Sequence, residues 1–228
     1  MAIADNLALV KSRITAACET AGRQIDNIRL LPMSKGHSSS DILAAHQAGL
    51  TRFGENRPQE LAVKAAELAE VELDFAFAGH LQTNKAKIIA AFAAEFQALD
   101  SLRLAAELDK QCQRIGRELP VLVEVNTSNE PQKHGIAPAD AIEFAHQLAV
   151  FDSLKVNGLM TMAVLSPDRA QVAACFDTLV ETQRRLQDCA APGSWEELSM
   201  GMSGDFELAI AKGATCIRIG TAIFGKRN

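Results

Sequence analysis

In the stretch Leu30-Leu31-Pro32-Met33-Ser34-Lys35-Gly36-His37, an apolar run passes directly into a primary amine followed by glycine. An amine at the end of a buried strand loses hydration, which lowers its pKa and raises the neutral, nucleophilic fraction. Condensation with an aldehyde is the chemistry open to it. Far along the chain, Gly201-Met202-Ser203-Gly204-Asp205 and Arg218-Ile219-Gly220-Thr221 combine glycines, which let a ligand approach the backbone, with the hydroxyls of Ser203 and Thr221. A helix starting near Ser203 would aim further N–H groups at an anion. One such turn alone reads as an ordinary serine cap. Two together read as a phosphate cradle, and an amine opposite that cradle suits a phosphorylated aldehyde.

The elements that must hold these groups follow a β/α rhythm. Short β-favouring runs recur over residues 28–33, 51–54, 74–79, 96–99, 120–126, 155–161, 197–201 and 215–220. Between them, residues 40–48, 58–70, 101–118 and 169–188 carry apolar positions at helical spacing. Ser39 or Ser40 with Asp41 marks one helix start, and Pro138 marks another. Strict alternation of this kind predicts a parallel sheet covered by helices, and eight units fit a single closed (β/α)8 TIM barrel better than an open doubly wound sheet. Only eight residues follow Gly220, too few for a long eighth helix. An extra N-terminal helix with Ile3, Leu7, Val10, Ile14 and Ala17 on one face is expected to cover that gap.

Active sites of such barrels lie at the carboxyl ends of the strands, and the loops after strands seven and eight are the usual phosphate site. Lys35 follows strand one, and the two glycine turns follow strands seven and eight. Pyridoxal 5′-phosphate supplies both the aldehyde and the phosphate. Arg218 points inward if Ile217 and Ile219 face the helices, and from there its guanidinium can meet the pyridine nitrogen. Two motif-like stretches lead elsewhere and fail. Gly220 to Arg227 lacks the final Ser or Thr of a nucleotide P-loop and the helix that should follow. Ser203 lacks the second glycine of a hydrolase elbow, and every histidine precedes it.

Composition removes other classes. The 228-residue chain is 48% hydrophobic and 22% charged, with a formal net charge of -5, so nothing draws it generally to nucleic acid or anionic membranes. The apolar run from Ile88 to Ala94 is stopped by Glu95, short of a membrane span, and no leader opens the sequence, so a cytoplasmic protein is expected. The five cysteines are scattered and never form a C-x-x-C pair, and the five histidines show no metal spacing, so no metal is expected.

Several motifs together resemble the pyridoxal phosphate homeostasis proteins: Met33-Ser34-Lys35, Phe53-Gly54-Glu55-Asn56, Gly79-His80-Leu81-Gln82-Thr83-Asn84-Lys85, Lys133-His134-Gly135, Gly158-Leu159-Met160-Thr161, Leu198 to Phe206 and Arg218 to Gly225. The resemblance spans nearly the whole chain. It implies a fold-type III, alanine-racemase-like barrel with a Schiff base between Lys35 and pyridoxal phosphate. At matching positions it implies that Ser203, Gly204, Gly220 and Thr221 hold the phosphate, that Arg218 faces the ring nitrogen, and that Asn56, His80 and Met200 belong to the binding site. Arg57 stands where the family usually has Tyr, and Phe75-Ala76 where it has a Trp-His pair.

Racemisation needs two positioned acid–base groups, one on each face of the cofactor. Lys35 can be one. Alanine racemases supply a tyrosine as the other, and this chain contains no tyrosine; Met162 follows Thr161 where those enzymes carry histidine. A permanent cation at the pyridine nitrogen also weakens the ring as an electron sink. The expectation is a monomeric protein that buffers or delivers the cofactor, with PLP-dependent apoenzymes as recipients. The competing readings are a weak fold-type III racemase or lyase and a phosphosugar-binding barrel.

Overall fold

The structure is a computed structural model that describes residues 2–226; Arg227, which ends the P-loop-like stretch, lies outside them. Its strands are β1 (Arg29–Pro32), β2 (Arg52–Glu55), β3 (Asp74–Phe77), β4 (Glu95–Leu99), β5 (Leu119–Glu124), β6 (Leu154–Met160), β7 (Glu197–Ser199) and β8 (Cys216–Ile219). They pair in parallel in the order β1-β8-β7-β6-β5-β4-β3-β2. Between β1 and β2 the ring is joined by a parallel bridge from Met33 to Gly54, where the Ser34 N–H donates to the Gly54 carbonyl at 2.9 Å. This is the (β/α)8 barrel expected from the alternation.

Helices α1 (Ile3–Ala21), α2 (Ser39–Gln47), α3 (Pro58–Glu67), α4 (Ala86–Phe92), α5 (Leu102–Arg114), α6 (Ala141–Leu148), α7 (Arg169–Asp188), α8 (Phe206–Ala211) and α9 (Thr221–Phe224) surround the sheet. In α1, Leu7, Val10, Ile14 and Cys18 recur every three to four residues and are buried, which turns one face onto the barrel. Because α9 is a single turn, α1 covers the gap beside it. Asn6 Nδ2 donates to the Ile223 carbonyl at 2.9 Å, Arg13 pairs with Glu207, and Arg23 donates to the carbonyls of Ile210 and Ala214.

Some boundaries differ from expectation for local reasons. Ser38, rather than Ser39 or Ser40, caps α2, closing a capping box with Asp41. Pro138 opens a 3₁₀ turn, and α6 begins only at Ala141. The helix after β7 starts at Phe206, not near Ser203, because the Met202 carbonyl accepts from the Phe206 N–H while Asp205 Oδ1 accepts from the Met202 N–H.

The barrel interior holds a polar column rather than stacked aliphatic layers. Arg29 grips Glu95 with two hydrogen bonds at 2.8 and 2.9 Å and also pairs with Glu197. Gln97 donates to Glu95 and accepts from Ser199 Oγ at 2.8 Å. Arg218 then donates to Ser199 Oγ and to the Thr161 carbonyl, both at 2.7 Å, so the column runs from one rim toward the other. Leu31, Met33, Ala76 and Cys216 form a small apolar cluster beside it. The main core lies between sheet and helices.

Candidate functional site

Lys35 lies in the turn just past β1, on the carboxyl rim. Leu31 and Met33 face the barrel interior, and Lys35 is the next residue of that parity as the chain leaves the strand. The turn continues through Gly36, whose φ of +73° lies in the left-handed region that glycine adopts without strain. Strand β8 is the immediate neighbour: Leu31 pairs with Arg218 and Pro32 with Ile219, and the Met33 N–H donates to the Ile219 carbonyl at 2.9 Å. The loop after β7 adjoins β8, since the Arg218 N–H donates to the Gly201 carbonyl at 2.9 Å.

These loops carry the residues expected to form the cradle. Neither the Ser203 nor the Thr221 hydroxyl has a hydrogen-bond partner among the described residues, and the same holds for the N–H groups of Ser203, Gly204, Thr221 and Ala222. Around Gly204 there is open space where a Cβ would sit. The donors therefore lie in the turn after β7 and in the first turn of α9, at adjoining strand ends. Such an array is what a phosphate dianion needs. Arg218, only 5% exposed, is fixed below it by Ser199 and Thr161. Burial draws its pKa down, with Cys216, Glu124 and Asp205 acting the other way.

On the other side of the Lys35 turn from β8, Asn56 follows β2 and keeps its Oδ1 enclosed without a partner among the described residues. Gly79 packs directly on it: a Cβ there would fall 2.6 Å from the Asn56 carbonyl oxygen, so this contact requires glycine. The next residue, His80, is exposed and stacks on His134 with ring centroids 3.6 Å apart and planes 9° from parallel. Its Nδ1 lies 3.6 Å from Asp100 Oδ2. Ligand-capable atoms of His80, Asp100 and His134 all come within 4.8 Å of one another, a grouping that sequence spacing did not reveal because the residues belong to three separate loops. With the rings nearly parallel, their in-plane lone pairs run side by side rather than toward a common point, so these rotamers favour stacking over ligation.

Met200 lies elsewhere. It is fully buried in the core between sheet and helices, and its N–H donates to the Cys216 carbonyl at 3.0 Å. Arg57 is exposed at the start of α3; Phe75 packs into the main core and Ala76 into the interior cluster. Two acidic groups of the barrel have no place in the sequence-derived site. Glu124 ends β5 with a pKa pushed up to about 7 by burial and by nearby Asp100, against the opposing pull of Arg218. Glu55 ends β2 fully buried, and burial raises its pKa despite hydrogen bonds from Lys64 and Ser34.

The amine, the unpaired donors of two adjoining loops, the anchored guanidinium and the orphaned Asn56 oxygen are chemically suited to pyridoxal phosphate. Residues 2–228 match the family described as alanine racemase, N-terminal domain. A pyridoxal phosphate homeostasis protein of Pseudomonas aeruginosa is 39% identical over 226 residues, covering 99% of this chain and 96% of the relative. The chain belongs to this family. PipY of Synechococcus elongatus, solved with PLP bound, superposes with a TM-score of 0.87 at 35% identity, covering 98% of this chain and 100% of PipY. Alanine racemase from Streptomyces coelicolor shares the fold, with a TM-score of 0.72 at 18% identity, and this chain covers 58% of that larger protein.

Proposed function

We propose that the chain binds pyridoxal 5′-phosphate at the carboxyl rim and carries it on Lys35 as a reversible store, without turning over amino acids. One juxtaposition carries the reading: the Lys35 turn follows β1, and its neighbour β8 bears Arg218 and runs into Gly220 and Thr221, beside the loop of Ser203 and Gly204. In the covalent step the neutral Lys35 amine adds to the aldehyde carbon, C=N replaces C=O, and the oxygen leaves as water. No oxidant or reductant is required. Ser203, Gly204, Gly220 and Thr221 receive the phosphate, Arg218 faces the pyridine nitrogen, and Asn56 and His80 border the pocket. Met200 contributes through its backbone and by supporting the loop.

Support for a store rather than a catalyst comes from the residues that flank the pocket. The chain has no tyrosine to act as a second acid–base group, and a fixed cation at the ring nitrogen opposes its protonation. The relatives' name points the same way, while the PLP in PipY supports the binding itself. The whole chain acts as one PLP-binding domain, a cytoplasmic monomer in this reading, and passes its cofactor to PLP-dependent apoenzymes. No helix among the described residues is long and apolar enough to cross a membrane.

The test is to mix the purified protein with pyridoxal phosphate, record the visible band, reduce with borohydride and map the labelled peptide. Label on Lys35, and loss of the band in Lys35→Ala, is the expected result. Label mainly on Lys85 or Lys133 refutes the assignment.

A further inference from the structure

The backbone on both sides of Lys35 is tied to one buried ionic unit. On the N-terminal side, the Ser34 carbonyl accepts from Lys64 Nζ at 2.7 Å and Ser34 Oγ donates to Glu55 Oε1 at 2.5 Å. On the C-terminal side, the Gly36 N–H donates to Glu60 Oε1 at 2.5 Å. Lys64 Nζ joins the two sides, donating to Glu55 Oε1 at 2.6 Å and to Glu60 Oε1 at 2.7 Å. Its three protons are thereby matched to three acceptors. Glu60 and Lys64 sit one turn apart on α3, and Glu55 ends β2, so two elements converge on a single turn.

Lys64 is 4% exposed and Glu55 is fully buried. Burial alone would raise the pKa of Glu60, but Lys64 and the Gly36 N–H more than offset it and bring it below the usual range. Glu60 therefore remains an anion next to the turn. Such a unit is a poor way to gain stability, because taking a lysine and a glutamate out of water costs several kcal/mol and a well-packed apolar pair often serves as well or better. Leu61, on the same helix, is fully buried and meets the core in that ordinary way. What the ionic unit provides, and leucine cannot, is a pair of fixed hydrogen bonds to the peptide groups flanking Lys35.

We propose that Lys64, braced by Glu55 and Glu60, is a positioning residue that locks the Lys35 turn so that the Lys35 amine is aimed at the aldehyde. The inference rests on Lys35 as the attachment point. With Ser34 and Gly36 held, only side-chain rotamers remain free, and a misplacement of about 1 Å is enough to slow a bond-forming step by one to two orders of magnitude.

The experiment compares wild type, Lys64→Met, Lys64→Arg and Glu60→Ala by three measurements. Amide hydrogen exchange reports the Lys35 turn without any ligand. Affinity for 4′-deoxypyridoxine 5′-phosphate, which has ring and phosphate but no aldehyde, reports the pocket. The rate at which borohydride-trapped label appears on Lys35 reports aim. In Lys64→Met the Gly36 amide should exchange faster and the trapping rate should fall by about tenfold or more, while analogue affinity stays within about twofold. Lys64→Arg should recover part of the rate. A trapping rate within about twofold of wild type, or analogue affinity that falls in step with it, overturns the proposal. If Lys64→Met does not fold, Glu60→Ala carries the same comparison, since it removes the Gly36 acceptor from a partly exposed helix face; an unchanged trapping rate there is equally fatal. Failure of wild type to label Lys35 refutes the binding reading instead.

Discussion

Replacing Glu124 by glutamine tests the electrostatics of the barrel without touching the attachment point. Burial and Asp100 lift this carboxyl from an ordinary 4.5 to about 7, so the folded protein binds a proton there that the unfolded chain has released. Stability from this group is fully present below the unfolded value and is lost as pH rises through the folded one. A shift of about 2.5 units corresponds to roughly 3 kcal/mol, and most of it, on the order of 2 kcal/mol, falls between pH 5 and pH 8. Glutamine keeps the shape and removes the titration. Urea unfolding of the ligand-free protein at four pH values across that range should therefore show wild type losing stability relative to Glu124→Gln as pH increases. The comparison cancels other groups that titrate, including Glu55, Glu197 and Asp205, whose pKa values are also raised mainly by burial. Parallel pH profiles for the two proteins would refute a buried, proton-holding Glu124.

Two further outcomes concern the rim. Ser203→Ala combined with Thr221→Val deletes two hydroxyl donors to a dianion, each worth about 1.5–3 kcal/mol, so affinity for pyridoxal phosphate should drop by about tenfold or more while affinity for unphosphorylated pyridoxal barely changes. Equal losses for both ligands would dismiss the cradle. With saturating L-alanine in deuterated water, the cofactor-loaded protein should show no α-proton exchange at an enzyme-like rate of about 1 s⁻¹, as judged by NMR. Exchange at that rate which vanishes in Lys35→Ala would establish a competent second base, and Glu124 would be the first group to examine.

The fold was legible because its signals are local. Eight short strand runs, amphipathic helices and a periodic N-terminal segment each speak through spacing alone, and the loops bearing Lys35, Ser203 and Thr221 follow from that order. Three consecutive serines are chemically equivalent in sequence, so only the structure distinguishes Ser38 as the cap of α2. The polar column was harder to see. Glu95 and Gln97, Glu197 and Ser199, and Arg218 occupy alternate strand positions that face inward, yet singly they look like surface residues. Polar types at inward parity on several strands were the available signal. Lys64 gave none, since a lysine on an amphipathic helix is ordinarily solvated, and its burial depends on Glu55 from another element. The grouping of His80, Asp100 and His134 likewise exists only once three loops are assembled.

The position of α1 sets an order of events during synthesis. Its partners are remote in sequence: Asn6 bonds Ile223 across 217 residues, Arg13 pairs with Glu207 across 194, and Arg23 reaches Ala214 across 191. As the chain emerges from the ribosome, α1 appears early and meets α2 soon afterwards, but its row of Leu7, Val10 and Ile14 is fully covered only when α8 and α9 follow. β1 waits for β8 in the same way, and with it the Lys35 turn waits for half of its cradle. Contacts of such long range make closure late and slow. The nascent barrel therefore presents an apolar helix and an unpaired strand edge for most of its translation, which are the surfaces that chaperones bind. If the loops after β7 and β8 hold the phosphate as proposed, cofactor capture follows the docking of the last β/α unit.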